Sequence, residues 1–495
     1  MSMGGLRYLL VGALFGLAGC VNLAPDYQQP APVTPTLWPS VGPNPAPEPV
    51  AAPDVADLGW RDFLVDDRLR RTVATALAHN RNLRIAALDI EAARAQYRDN
   101  RAELFPSIDA SSSATFSRAG RTTAGGNDTS SGNVVNGRSV SKSLSAELGF
   151  ASYELDFFGR LRNQKQAAFD ALLSSAAARR STQISLIGQV ASDWLTLAAD
   201  KERLAIAQET LANQRQNLKL VRARHDYGVA SGSDVADARS AVESARVDVA
   251  SYTTLVAQDR NALNLVAGTS VATADLPGAQ VPAAPVIDDL PAGIPSQVLT
   301  NRPDVISAEY TLRGDYASIG AARAAFFPTI SLTAATGWAT SGLSGLFADD
   351  NRSWSFTPQI DQPIFDGGSR LAQLDLAHVQ RHIDLADYEQ TIQTAFREVA
   401  DALATRATIN EQVAAQQALV AASSRAYRLS LARYRAGTAS FLDTLVEQRT
   451  LYNARLNEVG RRLARQTNLV TLYKVLGGGG LAQSTAAAAP EPGPS

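Results

Sequence analysis

The sequence of 495 residues contains a single cysteine, Cys20, and only four histidines. One cysteine excludes an intrachain disulfide, and together these counts leave little material for a zinc site. Neither sign of charge is in large excess, because 46 Lys and Arg residues are balanced by 48 Asp and Glu residues. A chain with balanced charge lacks the excess of basic residues that is typical of nucleic-acid-binding proteins. We therefore expect no cofactor, no metal and no nucleic-acid partner, and a fold stabilised by packing alone.

Long hydrophobic runs are missing as well. Mean hydropathy is -0.10, and beyond the N-terminus no apolar run approaches the roughly 18 residues of a transmembrane helix. These features exclude a polytopic helical membrane protein, although they leave a β-barrel open. A chain of 495 residues is too long for one ordinary hydrophobic core. At about 150 residues per domain, its length predicts about three domains or a repeated architecture.

The N-terminus has the pattern of a lipoprotein signal. Residues 8–19 form a short apolar segment behind Arg7, and small residues precede Cys20 in the sequence LAGC. We predict a signal peptide at residues 1–19 and lipidation of the Cys20 thiol, for example with palmitate, at the new N-terminus. Val21 resembles the residue found at this position in the outer-membrane sorting class. The alternatives are a chance match and a plain signal peptide.

Two halves of the chain resemble each other. The sequences YGVASGSDV at 227–235 and AGTASFLDT at 436–444 align at a constant offset, and Phe-Pro pairs occur at 105–106 and 327–328. A tandem duplication explains this pattern. Proline- and glycine-rich stretches mark the remaining boundaries. The predicted divisions are a lipid anchor and Pro-rich tether at 20–59, a first repeat at 60–268, a linker at 269–303, a second repeat at 304–476 and a disordered tail at 477–495.

Long helices dominate both repeats. Residues 160–227 contain no proline and one glycine, and residues 370–436 contain neither. Each stretch predicts a helix about 100 Å long. The returning segments, 233–267 and 66–104, are shorter, so we expect two short helices to stack end to end beside one long helix. Small-residue stripes such as 176–178 favour close coiled-coil packing.

Each Phe-Pro pair is followed by residues that alternate between apolar and polar, the period of a strand with two unlike faces. A second alternating stretch follows a loop in each half, so we predict two β-hairpins, at 107–156 and 329–362. Strands of about ten residues can cross a bilayer at a tilt. Aromatic residues at both strand ends resemble the girdles of membrane barrels. They are Phe105, Phe116, Phe327, Trp338, Trp354 and Phe365.

Four strands cannot close a barrel in a bilayer, because open edges would leave backbone groups unsatisfied in hydrocarbon. Three chains would supply 12 strands, so we expect a homotrimer in contact with outer-membrane lipid. The alternative is a soluble pair of hairpins on a helical domain, which leaves the aromatic placement and the lipid anchor unexplained.

Residues 301–332, NRPDVISAEYTLRGDYASIGAARAAFFPTISL, closely resemble the signature of the outer membrane factor family, the TolC and OprM-like channels of tripartite efflux systems. Further matches are WRDFLVDDRLRRTVATAL at 60–77, ELDFFGRLR at 154–162 and QPIFDGGSRL at 362–371. The lipobox favours the OprM-like, NodT-type lipoprotein branch. The resemblance implies a mainly α-helical chain with a membrane β part. Its homotrimer would form a 12-stranded outer-membrane β-barrel, four strands per chain, continuous with a long periplasmic α-helical coiled-coil barrel.

The implied function is a passive exit duct for drugs or toxic compounds, lipid-anchored in the outer membrane and extending into the periplasm. The implied partners are a periplasmic adaptor of the membrane fusion type and an inner-membrane pump of the resistance-nodulation-division type. Two alternatives stay open: the duct of a type I protein secretion system, and a lipid-anchored periplasmic coiled-coil scaffold.

The tips of the helical hairpins are the candidate periplasmic gate. Gly228 and Gly437 stop the descending helices, and the pairs Ser231 with Asp234 and Ser440 with Asp443 have capping-box spacing. Helix capping is therefore one explanation of both aspartates. The resemblance implies a second role, since it places the following residues around the periplasmic aperture: Asp234, Tyr434, Leu442, Asp443, Glu447 and Arg449.

Threefold symmetry would turn each of these gate residues into a ring. A carboxylate ring favours cations and can be bridged by arginines, including Arg239 of the first-half hairpin. One position departs from the family pattern. Val446 stands where a second acid is expected, one turn after Asp443, and Glu447 is displaced by one residue.

Enzymatic interpretations find little support. His378 and His382 have i, i+4 spacing on a predicted helix, but the residues between them lack the glutamate of a metalloprotease. No phosphate-cradling glycine loop precedes a helix, and no Ser, His and Asp constellation has a plausible context. We expect no enzymatic activity, with energy supplied by the partners.

Overall fold

A computed structural model describes residues 21–31, 33–35, 37–39, 55–118, 140–288, 290 and 299–479. Cys20 and the predicted signal peptide lie outside the described residues, as do the loop at 119–139 and residues 480–495. Eight α-helices and four strands occur in the described part of the chain. The helices are α1 (Trp60–Phe63), α2 (Asp67–His79), α3 (Arg81–Ala102), α4 (Arg160–Asp226), α5 (Gly232–Ala267), α6 (Pro303–Ala324), α7 (Ser369–Arg435) and α8 (Phe441–Val475). The strands are β1 (Asp109–Arg118), β2 (Val140–Leu155), β3 (Thr329–Thr340) and β4 (Arg352–Asp361).

The two long helices are confirmed. Helices α4 and α7 each cover 67 residues without a break, because neither contains proline, which would remove a backbone donor and clash with the preceding turn. Within the described residues, no helix is both long and apolar enough to cross a membrane.

The expectation of one continuous helix over 66–104 is wrong. Asn80 has extended backbone angles and separates α2 from α3. Its side chain stabilises the break, since Nδ2 donates to the Val266 carbonyl at 2.8 Å and Oδ1 accepts from the Leu83 N–H at 2.9 Å. Gly268, which has a φ of 71°, packs so tightly on His79 that a side chain would clash with the His79 carbonyl.

The strands form one antiparallel sheet in the order β1-β2-β3-β4. The predicted hairpins are β1–β2 and β3–β4, and the pairing of β2 with β3 joins them. A bulge interrupts β2 between Phe150 and Tyr153, and Ser152 there has a φ of 53°. Because the bulge adds one residue, Tyr153 and Leu155 point to the same face as Phe150.

The chain folds as two compact units. One contains residues 92–172 and 311–384, and therefore the whole sheet with its adjoining helix segments. Within it, Tyr97 of α3 packs on Phe169 of α4 with ring centroids 5.4 Å apart.

The other unit has the larger apolar core. Trp194 is fully buried there, and its indole N–H donates to the Asp275 carbonyl at 2.9 Å. Phe63 stacks on Tyr473 with centroids 4.0 Å apart. Arg302 is buried and forms ion pairs with Asp304 at 2.6 Å and Glu398 at 2.9 Å. This unit also holds the helical tips.

Parts of the predicted tether and tail are folded. Trp38 is buried and stacks on Phe396 with centroids 5.0 Å apart. The first three residues of the predicted tail, 477–479, form a turn in which the Gly478 N–H donates to the Tyr473 carbonyl at 2.8 Å. The expectation of disorder from residue 477 is therefore wrong for these residues, because their backbone closes the end of α8.

Candidate functional site

The four-stranded sheet has two unlike faces. The pairing register places Leu148 opposite Thr336 and Thr336 opposite Trp354, so their side chains share one face. When this register is followed across all four strands, most of the apolar residues of the sheet lie on that same face. They include Ala110, Ala114, Phe116, Leu144, Leu148, Phe150, Leu155, Ile330, Leu332, Trp338, Trp354, Phe356 and Ile360.

Five large side chains of this apolar face are exposed, and the other large ones are half-buried. Phe116, Leu148, Trp354, Phe356 and Ile360 have 52% to 79% of their surface exposed. An apolar surface in water costs about 25 cal/mol per Å². A contiguous apolar patch therefore indicates contact with another apolar phase, either a partner or a membrane.

The opposite face is polar. Ser113 of β1 and Ser145 of β2 are paired on it, and their hydroxyls form a hydrogen bond of 2.8 Å. Glu147 and Glu154 of β2 and Thr357 of β4 lie on the same face. Glu154 forms an ion pair of 2.6 Å with Arg160, the first residue of α4. A polar face fits contact with water.

Both edges of the sheet lack a strand partner among the described residues, since β1 pairs only with β2 and β4 only with β3. Exposed N–H and C=O groups along an edge favour pairing with another strand.

The six predicted girdle residues lie at the two ends of the sheet. Phe116, Trp338 and Trp354 are near the ends that border residues 119–139 and 341–351. The Trp338 ring packs edge-on against Phe347, with centroids 5.5 Å apart. At the other end, Phe105, Phe327 and Phe365 lie just outside the strands and are 64%, 40% and 90% exposed.

Aspartates fix the turns from strand to long helix. Asp156 accepts a hydrogen bond from the Arg162 N–H at 2.9 Å, next to Gly159 with a φ of 80°. Asp366 accepts bonds from the N–H groups of Gly368 and Arg370, both at 3.0 Å. The Arg370 N–H, followed by that of Gly368 and the Arg370 charge, lowers the pKa of Asp366. Both repeats use an aspartate to satisfy the free amides at the start of the helix.

The segment that follows Cys20 is docked beside the first of these turns. The Val21 N–H donates to the Phe157 carbonyl at 3.1 Å, and Arg323 donates to the Leu23 carbonyl at 3.3 Å. Tyr27 packs edge-on against Tyr316 with centroids 5.4 Å apart. Val21 therefore lies at the helix-proximal end of the sheet.

At the helical tips, Ser231 with Asp234 and Ser440 with Asp443 each form a complete capping box. Gly228 and Gly437 have φ values of 73° and 78° and end the descending helices. The capping explanation of the two aspartates thus has direct geometric support. Asp234 and Asp443 form no ion pair within the described part of the chain.

Tyr434 lies inside its own tip. It is 5% exposed, packs against Phe441 with centroids 5.4 Å apart, and its hydroxyl has no hydrogen-bond partner among the described residues. Burial, opposed by Arg224 and reinforced by Asp234, raises the pKa of its phenol. In a single chain the ring is part of an apolar cluster that also contains Leu218 and Val221.

Arg224 is a tip residue that sequence reasoning missed. Its guanidinium lies 4.6 Å from the centroid of the Tyr434 ring, and Nη1 donates to the Tyr434 carbonyl at 3.1 Å. Its own carbonyl accepts the Val229 N–H, as the Arg433 carbonyl accepts the Thr438 N–H in the second half. The internal repeat aligns Arg224 with Arg433, and this alignment could have identified Arg224 as a tip residue from the sequence.

The remaining gate candidates are accessible. Leu442 is 59% exposed, Arg449 is exposed and Glu447 is half-buried. Leu442 and Arg449 line a groove of about 420 Å³, together with Asp237 and Asp248 of α5. The structure therefore brings Arg449 near acidic residues of α5. His378 and His382 lie on α7, and no group of metal-binding side chains was found among the described residues.

The fold and the two-faced sheet define a mainly helical protein with a β part suited to a membrane. The family model described as outer membrane efflux protein matches residues 72–269 and 294–478. The chain belongs to this family of outer-membrane efflux channels.

Individual relatives agree with this assignment. The chain is 44% identical over 467 residues, 94% of each sequence, to the toluene efflux pump outer membrane protein TtgC of Pseudomonas putida. A crystal structure of a membrane protein from Pseudomonas aeruginosa superposes with a TM-score of 0.85 at 37% identity, covering 94% of this chain and 100% of that one. The open state of the Neisseria gonorrhoeae MtrE outer membrane channel gives 0.80 at 36% identity, covering 92% and 98%.

Proposed function

We propose that this chain is the outer-membrane channel of a tripartite efflux system, a passive exit duct for small molecules such as drugs or toxic compounds. The sheet carries the proposal, because one face exposes large apolar side chains and the other is rich in serine and threonine. Such a sheet fits a barrel wall with lipid outside and water inside. Family membership and the similarity to the MtrE channel support the same function.

Closure of the barrel requires three copies in this proposal. Four strands per chain with two unpaired edges would give 12 strands when β1 of each copy pairs with β4 of the next. The long helices α4 and α7, with α5 and α8, would continue the duct through the periplasm as a coiled-coil barrel. The two family matches along the chain support two tandem structural repeats.

The duct is a conduit and not an enzyme, so energy comes from its partners. We assign these as an inner-membrane pump of the resistance-nodulation-division type and a periplasmic adaptor that links the pump to the helical tips. The similarity to TtgC, the outer membrane protein of a toluene efflux pump, supports a pump partner.

Lipid attached to Cys20 would anchor the chain. The docking of Val21 on the Phe157 carbonyl supports this assignment, since it holds the residue next to Cys20 close to an end of the sheet where aromatic residues cluster. In the barrel, both aromatic groups would lie at the bilayer surfaces.

The helical tips are the proposed gate. Rings of Asp443, Leu442 and Arg449 from three copies would surround the aperture, with Tyr434 opposite them on α7 and Asp234 on the neighbouring hairpin. The exposure of Leu442 and Arg449 supports this arrangement.

Native mass spectrometry and planar-bilayer recording test the channel directly. Protein extracted from outer membranes should have the mass of a trimer and should conduct ions across a lipid bilayer. Restoring the gene to a deletion strain should raise tolerance of toluene and of small-molecule antibiotics. A stable monomer without conductance would overturn the proposal, and restored polypeptide export without restored tolerance would favour the secretion duct.

A further inference from the structure

Charged side chains are divided by sign between the two faces of the sheet. Lys142 is paired with Phe116, and this places the lysine on the apolar face. Arg352 is paired with Trp338 and lies on the same face. The acidic residues of the strands are all on the polar face, namely Asp109, Glu147, Glu154 and Asp361. Among the strand side chains that the structure describes, the apolar face therefore carries bases without acids, and the polar face carries acids without bases.

Both bases lie at the same end of the sheet. Arg352 is the first residue of β4 and follows the loop at 341–351, and Lys142 is the third residue of β2 and follows the loop at 119–139. Helix segments of the same unit adjoin the opposite end of the sheet. In the proposed channel the helices extend into the periplasm, so the loop end faces the outside of the cell. Lys142 and Arg352 would then lie in the outer leaflet of the membrane.

The length of β4 places Arg352 at the border of the apolar face. Arg352 and Ile360 lie on this face, eight residues apart, which is about 27 Å along the strand. At the usual tilt of about 40°, this distance is about 20 Å along the bilayer normal, close to the apolar band of about 25 Å in membrane barrels. Trp354, next to Arg352 on the face, is 79% exposed. The arginine stem can therefore contact acyl chains while its guanidinium reaches the headgroups.

Both bases are available to a ligand. Each is exposed, and neither forms an ion pair within the described part of the chain. Asp349 and Asp350 precede Arg352 in the loop, yet neither is paired with it. Neighbouring strands are about 4.8 Å apart, so Lys142 on β2 and Arg352 on β4 are about 10 Å apart across the sheet. Two bases in each of three copies would surround the outer rim of the barrel.

We propose that Lys142 and Arg352 bind the phosphate groups of a phosphorylated lipid in the outer leaflet, while Phe116 and Trp354 contact its acyl chains. The occupant is an anionic lipid, because bases with no acid on their face attract negative headgroups over neutral ones and form charge-assisted hydrogen bonds with phosphate. The inference rests on the proposed channel, since only a sheet with its apolar face in lipid brings these side chains to a leaflet.

Lipid binding by the purified trimer tests the site. Native mass spectrometry in detergent measures the affinity for lipid A that carries both phosphates and for the same lipid after phosphatase treatment. The parent should bind the phosphorylated form more tightly. Each base near an anionic lipid surface contributes about a fivefold factor in affinity. The variant Lys142→Gln with Arg352→Gln should therefore bind the phosphorylated form roughly 25-fold more weakly and the dephosphorylated form unchanged.

Two control variants separate charge from other effects. Lys142→Arg with Arg352→Lys keeps both charges and should bind as the parent does. Ser143→Gln with Ser353→Gln changes the adjacent residues on the polar face and should also leave lipid binding unchanged.

The mass and the planar-bilayer conductance of each variant report the channel separately. A conducting parent trimer that binds both lipid forms equally, or a glutamine variant that binds them as the parent does, would overturn this lipid site and leave the channel proposal intact. Monomers without conductance would overturn both.

Discussion

At the residue scale, Asp443 has an observed role as a helix cap and a proposed role in the aperture. Its carboxylate accepts the Ser440 N–H at 3.3 Å, while its own N–H donates to Ser440 Oγ at 3.1 Å. This pair satisfies free amides at the start of α8 and accounts for an acidic residue here without reference to a pore. A role in the aperture requires the charge itself, which asparagine removes while keeping an oxygen acceptor.

We predict that Asp443→Asn lowers the cation selectivity of the channel and leaves trimer stability unchanged. Asp443→Ala should lower selectivity equally and also destabilise the start of α8 by about 1 kcal/mol, because the Ser440 N–H loses its acceptor and half of the capping box is lost. Reversal potentials under a salt gradient measure the selectivity, and thermal unfolding measures the stability. Selectivity retained in the asparagine variant would leave Asp443 as a helix cap alone.

A pair of carboxylates gives the unit that contains the sheet a pH-dependent stability. Burial, reinforced by the nearby Asp384 carboxylate, raises the pKa of Asp315 to about 7. The folded chain then binds more protons than the unfolded chain between the ordinary pKa of an aspartate and that value. Folding stability should therefore fall as pH rises from about 4 to 7.

We predict that Asp315→Asn removes this decline, because an amide can donate to Asp384 at every pH. The melting temperature of the variant should exceed that of the parent at pH 7 and match it near pH 4. The surface variant Asp375→Asn, on the same helix as Asp384, serves as the control and should follow the parent. Parallel curves for all three proteins would contradict the shared-proton pair.

At the element scale, the sheet is defined by which face each residue occupies. Phe356 and Thr357 are neighbours in β4, yet the register places them on the apolar and polar faces respectively. Their exposures in a single chain do not distinguish them, since both are exposed. In the proposed barrel, lipid would contact Phe356 and water would contact Thr357.

We predict that Phe356→Arg reduces the amount of trimer in the outer membrane, because arginine on a lipid-facing strand costs about 2–4 kcal/mol near the midplane. Thr357→Arg is the matched control and should assemble normally while altering conductance. Trimer yield after membrane fractionation and non-denaturing electrophoresis gives the comparison. Equal yields would argue against lipid contact on the apolar face.

At the scale of the whole molecule, the proposed assembly and the proposed anchor depend on different residues. The proposed trimer depends on the two unpaired strand edges, whereas the proposed anchor depends on Cys20 and the docked segment after it. Since Val21, Leu23 and Tyr27 contact the folded chain directly, that segment can stay docked without lipid.

We predict that Cys20 of the mature protein carries lipid, detectable by mass spectrometry of the N-terminal peptide. Cys20→Ser should abolish the modification and weaken membrane retention, and the trimers that form should have the parent's mass apart from the lipid. Ser2→Ala, within the predicted signal peptide, serves as a control that should leave lipid attachment unchanged. An unmodified Cys20 thiol in the mature protein would contradict the assignment.

The sequence by itself determined the elements whose signals are local. Proline-free stretches predicted α4 and α7, alternation predicted the four strands, and serine-to-aspartate spacing predicted both capping boxes. The motif at 301–332 is continuous in the chain, and its resemblance was enough to indicate the family. These predictions were correct because hydrogen bonding within a helix, the pleat of a strand and a helix cap each depend on residues close together in the chain.

Only the tertiary structure decided features that depend on distant residues. The break at Asn80 requires the Val266 carbonyl, and the folded turn at 477–479 requires Tyr473. The bulge in β2 depends on its pairing with β3, and the burial of Tyr434 depends on Phe441 and Arg224. The packing of Tyr97 in α3 on Phe169 in α4 likewise joins segments far apart in sequence. A single sequence carries no local signal for such contacts, because a partner's position is fixed only when the chain has folded.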